Sequence, residues 1–146
     1  MFNNIFANDL LKLILTGSSI ANIADNAATS PLTNLYIGLH TADPGPDGTQ
    51  DTSQVVYTGY TRIAVPRLGA NWTITGNVAQ PVARIEFGEM TAGVESLATW
   101  MTIGTALTGA GKVLLRGLLS PNIQIRLGVI PAIKQDSTIT FVSASS

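Results

Sequence analysis

The chain has 146 residues, 45% of them apolar and only 12% charged, with a net charge of −1 and no cysteine. Its eight basic residues are scattered among nine acidic ones, so no Lys/Arg stripe marks a phosphate-binding surface, which argues against a nucleic-acid partner. Without cysteine there are no disulfides, thiolate metal sites or cysteine nucleophiles, and the redox compartment is left open.

The charged share is about half that of an average domain. Free monomers usually coat themselves in charge, so a surface this poor in it points to coverage by partners, including other copies of the chain. A length of 146 residues fits one domain with a real core.

The segment NNIFANDLLKLILTG predicts a short helix over residues 4–16. Asn3 or Asn4 can cap it, Ile5, Phe6, Leu10, Leu13 and Ile14 recur at helical spacing, and Gly17 suits the position just past its end. It is apolar almost all round, so it should pack under the domain or against a neighbouring subunit. Asp9 and Lys12 interrupt it, no basic region precedes it, and it is too short to span a bilayer. The chain therefore reads as soluble and unprocessed, with no membrane partner.

From Leu35 the helical period gives way to short extended runs. These are LYIGLH (35–40), YTRIAVPR (60–67), NWTITG (71–76), ARIEFG (83–88), ATWMTIGT (98–105), GKVLLRGLL (111–119), NIQIRLG (122–128) and STITFV (137–142). β-Branched and aromatic residues fill most of them, and Gly, Pro, Asn or Asp separate them. Ile85 and Phe87 flank Glu86, and Ile123 and Ile125 flank Gln124, as in half-buried antiparallel strands. The expected fold is mainly β: an antiparallel β-sandwich or small barrel with one short N-terminal α-helix, residues 1–146 forming a single domain with a long loop over about 41–59.

Little in the sequence points to catalysis. His40 is the only histidine, and no G-x-S-x-G elbow or second tuned acid accompanies it. The simpler role is a strand-end histidine bonded to the following turn. Asp43, Asp47 and Asp51 recur at every fourth residue, unlike the alternate-residue ligands of a calcium loop, and no bidentate Glu follows. Pro44-Gly45 and Asp47-Gly48 are turn signals in their own right. GAGK at 109–112 lacks the first Gly and the Ser/Thr of a phosphate loop and reads as a hairpin turn. Trp72, Trp100 and the tyrosines would stack a sugar only if exposed together; strand aromatics are more often core. The expectation is a binding or structural protein with no catalytic residue, metal or cofactor.

The series LYIGLHTADPGPDGTQ, YTGYTRIAVPR, NWTITGN, ARIEFGEMTAG, TIGTALTGAGKVLLRGLL and GVIPAIKQDSTITF resembles a family of small tailed-bacteriophage virion proteins, commonly described as tail-fibre-like. The LHTADPG block followed by YTGYTR carries the resemblance most specifically. Gly88-Glu89-Met90 and the apolar Leu118-Leu119 ahead of Ser120-Pro121-Asn122 are local departures from it. The resemblance implies a non-enzymatic virion component, assembled in the bacterial host cytoplasm and present in many copies. Its expected partners are itself and other virion proteins, on the tail, fibre base or collar. A capsid decoration role and a host-glycan-binding module are the alternatives. Residues expected at interfaces are Ile5, Phe6, Leu10 and Leu13 of the helix and Asp43, Pro44, Asp47 and Asp51 of the loop.

Overall fold

In a computed structural model that describes residues 4–20 and 32–142, with backbone alone for Asn4 and Phe6, the contacts divide the chain into two compact units. One comprises Met1–Thr33, Pro66–Arg84 and Lys134–Ser146, and the other Asn34–Val65 and Ile85–Ile133.

The first unit holds the expected helix, α1 (Asn4–Thr16). Ala7, Leu11 and Leu15 lie four residues apart, share one face and are buried. Helix α1 packs on β3 (Trp72–Thr75) and β4 (Val78–Pro81), where Trp72 and Ala79 are buried. The last carbonyls of a helix lack partners within it, and here Arg67 supplies them. Its Nε donates to the Ile14 carbonyl at 2.8 Å and its Nη2 to that of Leu13 at 2.7 Å, while Nη1 donates to Leu32 at 2.8 Å. A cation at this end also suits the helix dipole. Gly17, with φ of 71°, then turns the chain through the left-handed region that glycine occupies without a Cβ penalty. Strands β3 and β4 form a hairpin, and β9 (Ile139–Thr140) adds to the far side of β4.

The second unit is built on a four-stranded antiparallel sheet in the order β2-β1-β6-β7. Its strands are β1 (Asn34–His40), β2 (Ile63–Pro66, whose last residue falls to the other unit), β6 (Ser96–Gly104) and β7 (Val113–Ile125). A two-stranded sheet pairs β5 (Ile85–Glu86) with β8 (Ala132–Ile133). The register sets Ile37 opposite Ile103 and Leu39 opposite Met101 on one face, and Gly38 opposite Thr102 and His40 opposite Trp100 on the other.

Among the described residues the fold is mainly β with antiparallel sheets and one short N-terminal helix, and no closed barrel forms. Two expected strands prove to be one: β7 runs through Ser120-Pro121-Asn122, absorbing the turn signal as an irregularity between the Ala98–Ile123 and Trp100–Leu118 pairs. Strands β4 and β8 carry no sequence signal, being short and bounded by Pro81 and Pro131. GAGK lies in the β6–β7 connection. No helix among the described residues is long and apolar enough to cross a membrane.

Candidate functional site: a strapped loop and an apolar loop cluster

Residues 41–62 form no strand beyond isolated bridges at Thr49, Gln54 and Thr58, yet buried polar groups fasten them to the sheet. His40 is fully buried. Its Nδ1 lies 2.8 Å from the Thr52 carbonyl and its Nε2 lies 2.8 Å from Thr102 Oγ1. A carbonyl only accepts, so Nδ1 carries the proton and the Thr102 hydroxyl donates to Nε2. Burial, followed by the charge of Arg62, holds the His40 pKa below its ordinary value, though the Thr52 contact pulls the other way. With both nitrogens occupied, the imidazole has no lone pair or proton to offer a substrate. His40 fastens the strand end to the turn.

Gln50 makes a second clasp. Its Nε2 donates to the Tyr36 carbonyl at 3.2 Å, its Oε1 accepts from Ala106 N–H at 2.9 Å, and its own N–H bonds Gly111 at 2.9 Å. The amide lies directly on Gly104, where any Cβ would overlap it. Arg62, 3% exposed, makes the third: Nε donates to Gln54 at 2.6 Å, Nη1 to Ala106 at 3.1 Å and Nη2 to Asp51 at 2.5 Å. Tyr60 adds a fourth bond, its hydroxyl accepting from Leu39 N–H at 2.9 Å. Nothing in the local sequence signals these partners. Thr102, Ala106 and Gly111 come into reach only through strand pairing.

The expected interface residues fall in different settings. Ile5 is 74% exposed at the start of α1, Leu10 and Leu13 are half-buried, and the Phe6 side chain lies outside the described residues. Pro44 is buried and Asp47 is exposed. Asp43 accepts from Gly45 N–H at 2.9 Å and from Arg116 at 2.5 Å. The Gly45 amide first, then Arg116, hold its carboxyl below the ordinary value. Asp51 bonds Arg62, so these two carboxylates serve separate arginines. Among the described residues no group of three or more His, Asp or Glu side chains is placed to hold a metal ion.

Among the described residues the aromatic side chains do not gather into an open platform. Tyr57 meets Tyr60 edge-on at 5.4 Å, Tyr60 stacks on Phe87 at 6.0 Å, and the Tyr57 hydroxyl donates to the Gly88 carbonyl at 2.7 Å. Burial pushes the Tyr57 pKa up to about 12. Trp72 is buried, and the Arg116 guanidinium covers the Trp100 ring at 5.7 Å.

Beside this aromatic cluster three connecting segments are laced together by their backbones. Thr58 N–H bonds Ala92 at 2.9 Å, Thr91 N–H bonds Thr58 at 3.0 Å, Met90 N–H bonds Val129 at 3.1 Å and Gly128 N–H bonds Met90 at 2.9 Å. They expose five aliphatic side chains: Val56 (79%), Val94 (81%), Leu127 (62%), Val129 (41%) and Ile130 (46%). Val56, Tyr57, Thr58, Gly93 and Val94 line a shallow groove among them. Scattered apolar residues are normal on a surface; several on adjoining, hydrogen-bonded loops suit a binding face.

No curated protein matches the chain. A family model described as Podophage GP4 fiber I protein gp80 matches residues 2–140, nearly the whole of it. That is the class of phage virion protein which the LHTADPG and YTGYTR blocks resemble. The chain belongs to this phage fibre family.

Proposed function

We propose that this protein is a non-enzymatic structural component of a tailed-phage particle, attached at the tail, fibre base or collar through contacts with another virion protein. The observation that carries this reading is the loop cluster of Val56, Val94, Leu127, Val129 and Ile130, whose exposed aliphatics stand on backbone-laced loops. Such a surface loses water on docking while little loop order has to be gained, which is how a modest contact becomes a firm one. Family membership supports the virion setting, and the satisfied hydrogen bonds of His40 support a scaffold over a catalyst.

The test is incorporation. Cognate phage carrying Val56→Asp with Val94→Asp should yield particles that lack the protein on quantitative blots, although the variant folds with an unchanged circular dichroism spectrum. Normal incorporation would remove this surface from the assignment. Copy number against the major capsid band separates the tail from the head: dozens per particle agree with the proposal, and hundreds mean capsid decoration.

A further inference from the structure

The sheet of the second unit ends in β7, and among the described residues no strand pairs with its outer edge. A long open edge presents unpaired N–H and C=O groups, and proteins usually blunt it with charge, proline or irregularity. Strand β7 does so over only part of its length. Ser120-Pro121-Asn122 breaks the ladder, and Pro121 has no N–H to give. Thr49 of the loop bridges Lys112 at the start of this edge, and residues 114–119, Leu-Leu-Arg-Gly-Leu-Leu, have no such protection.

The one charged residue of this stretch is Arg116, and its charge is spent internally. Its Nη1 bonds both carboxylate oxygens of Asp43, and its guanidinium lies over Trp100. The aliphatic neighbours stand open, Leu118 at 65% exposed and Leu114 at 36%.

We propose that this edge pairs with the same edge of a second copy of the chain, two β7 strands running antiparallel about a two-fold axis. Three observations select that occupant. A two-fold axis perpendicular to the strands makes identical edges antiparallel, continuing the pattern of the β1–β6 and β6–β7 pairs. The open stretch matches itself in length, whereas the other outer strand, β2, spans four residues and ends in Pro66. The Asp43–Arg116 pair leaves two such edges free of like-charge repulsion, so they can approach closely. The contact is separate from the loop cluster proposed for attachment, and it forms in solution without the phage.

The absence of cysteine makes thiol trapping clean. Leu114→Cys, Leu118→Cys and Ser120→Cys, alone and mixed pairwise to cover different registers, should give disulfide-linked dimers under mild oxidation. At least one combination should react about tenfold or more faster than the exposed controls Leu68→Cys and Val94→Cys, because pairing holds the thiols at high effective concentration. Light scattering should give two 15.3-kDa chains or an even multiple. Leu114→Lys with Leu118→Lys should reduce it to monomer with an unchanged circular dichroism spectrum. A monomeric wild-type chain at tens of micromolar, an odd-numbered oligomer, or β7 thiols that react no faster than the controls would overturn the proposal.

Discussion

The Nε2 of His40 accepts a hydrogen bond from the Thr102 hydroxyl at 2.8 Å, across paired strands and 62 positions along the chain. The imidazole is thereby held neutral in a buried site. Its pKa is lowered from an ordinary 6.5, so as pH falls below that value the unfolded chain takes up a proton and the native one resists. Stability should be fully present above pH 6.5 and decline as pH falls toward the lowered native pKa. As the chain has a single histidine, its NMR carbon shift follows the titration without overlap. A midpoint at or above 6.5 would contradict the buried, neutral assignment.

Gln50 and Gly104 should be energetically coupled. Gln50→Ala strands the Tyr36 carbonyl and the Ala106 N–H, at a cost of about 1–3 kcal/mol in urea unfolding. Gly104→Ala drives a methyl group into the Gln50 amide and should cost about 1–3 kcal/mol in the wild type. Much of that second cost should vanish in the Gln50→Ala background, where the space is free. Additive losses in the double variant would show that the amide does not rest on Gly104.

Arg67→Met should uncap α1. The variant keeps the aliphatic stem but loses the bonds to Leu13 and Ile14, so a loss of about 2 kcal/mol is expected. Amide exchange should accelerate in the last turn of α1 more than in β1 or β6. Uniform acceleration through both units would mean that Arg67 acts in some other way.

Ser53 sits at φ 55°, a left-handed conformation that costs a residue with a Cβ about 1 kcal/mol. Ser53→Gly should therefore raise stability, by about 0.5 kcal/mol once the extra freedom of the unfolded chain is subtracted. A thermal midpoint lower than the wild type's would show that the serine hydroxyl contributes to the turn.

What was legible in the sequence was local. The Asn-rich start, the apolar run and Gly17 specify α1, β-branched and aromatic runs specify β1 and β6, and alternation marks β5 and the end of β7. The helical positions Ile5, Leu10 and Leu13 were legible as apolar, but the buried stripe is Ala7, Leu11 and Leu15, because a helix apolar on every side does not declare which side its neighbour takes. His40 as a strand-end residue bonded to the next turn was also legible, and the Thr52 contact agrees. Its second partner was not, nor were those of Gln50 and Arg62. Ala106 lies 56 positions from Gln50 and 44 from Arg62, and only strand register brings such residues together. Ser120-Pro121-Asn122 reads locally as a turn, but pairing with β6 on both sides carries β7 through it.

The first unit is assembled from three separate stretches, and β9, the strand that flanks β4, follows every residue of the second unit in the chain. A chain truncated after Ile133 therefore holds every residue of the second unit but lacks the outer strand of the first. Helix α1 precedes the strands in the chain, yet Arg67, which completes its last turn, follows some fifty residues later. Such a truncated chain should keep a protease-resistant four-stranded sheet while its helix is readily cleaved. Closure of the helical unit thus depends on residues after Ile133, and the protease sensitivity of α1 reads out their loss.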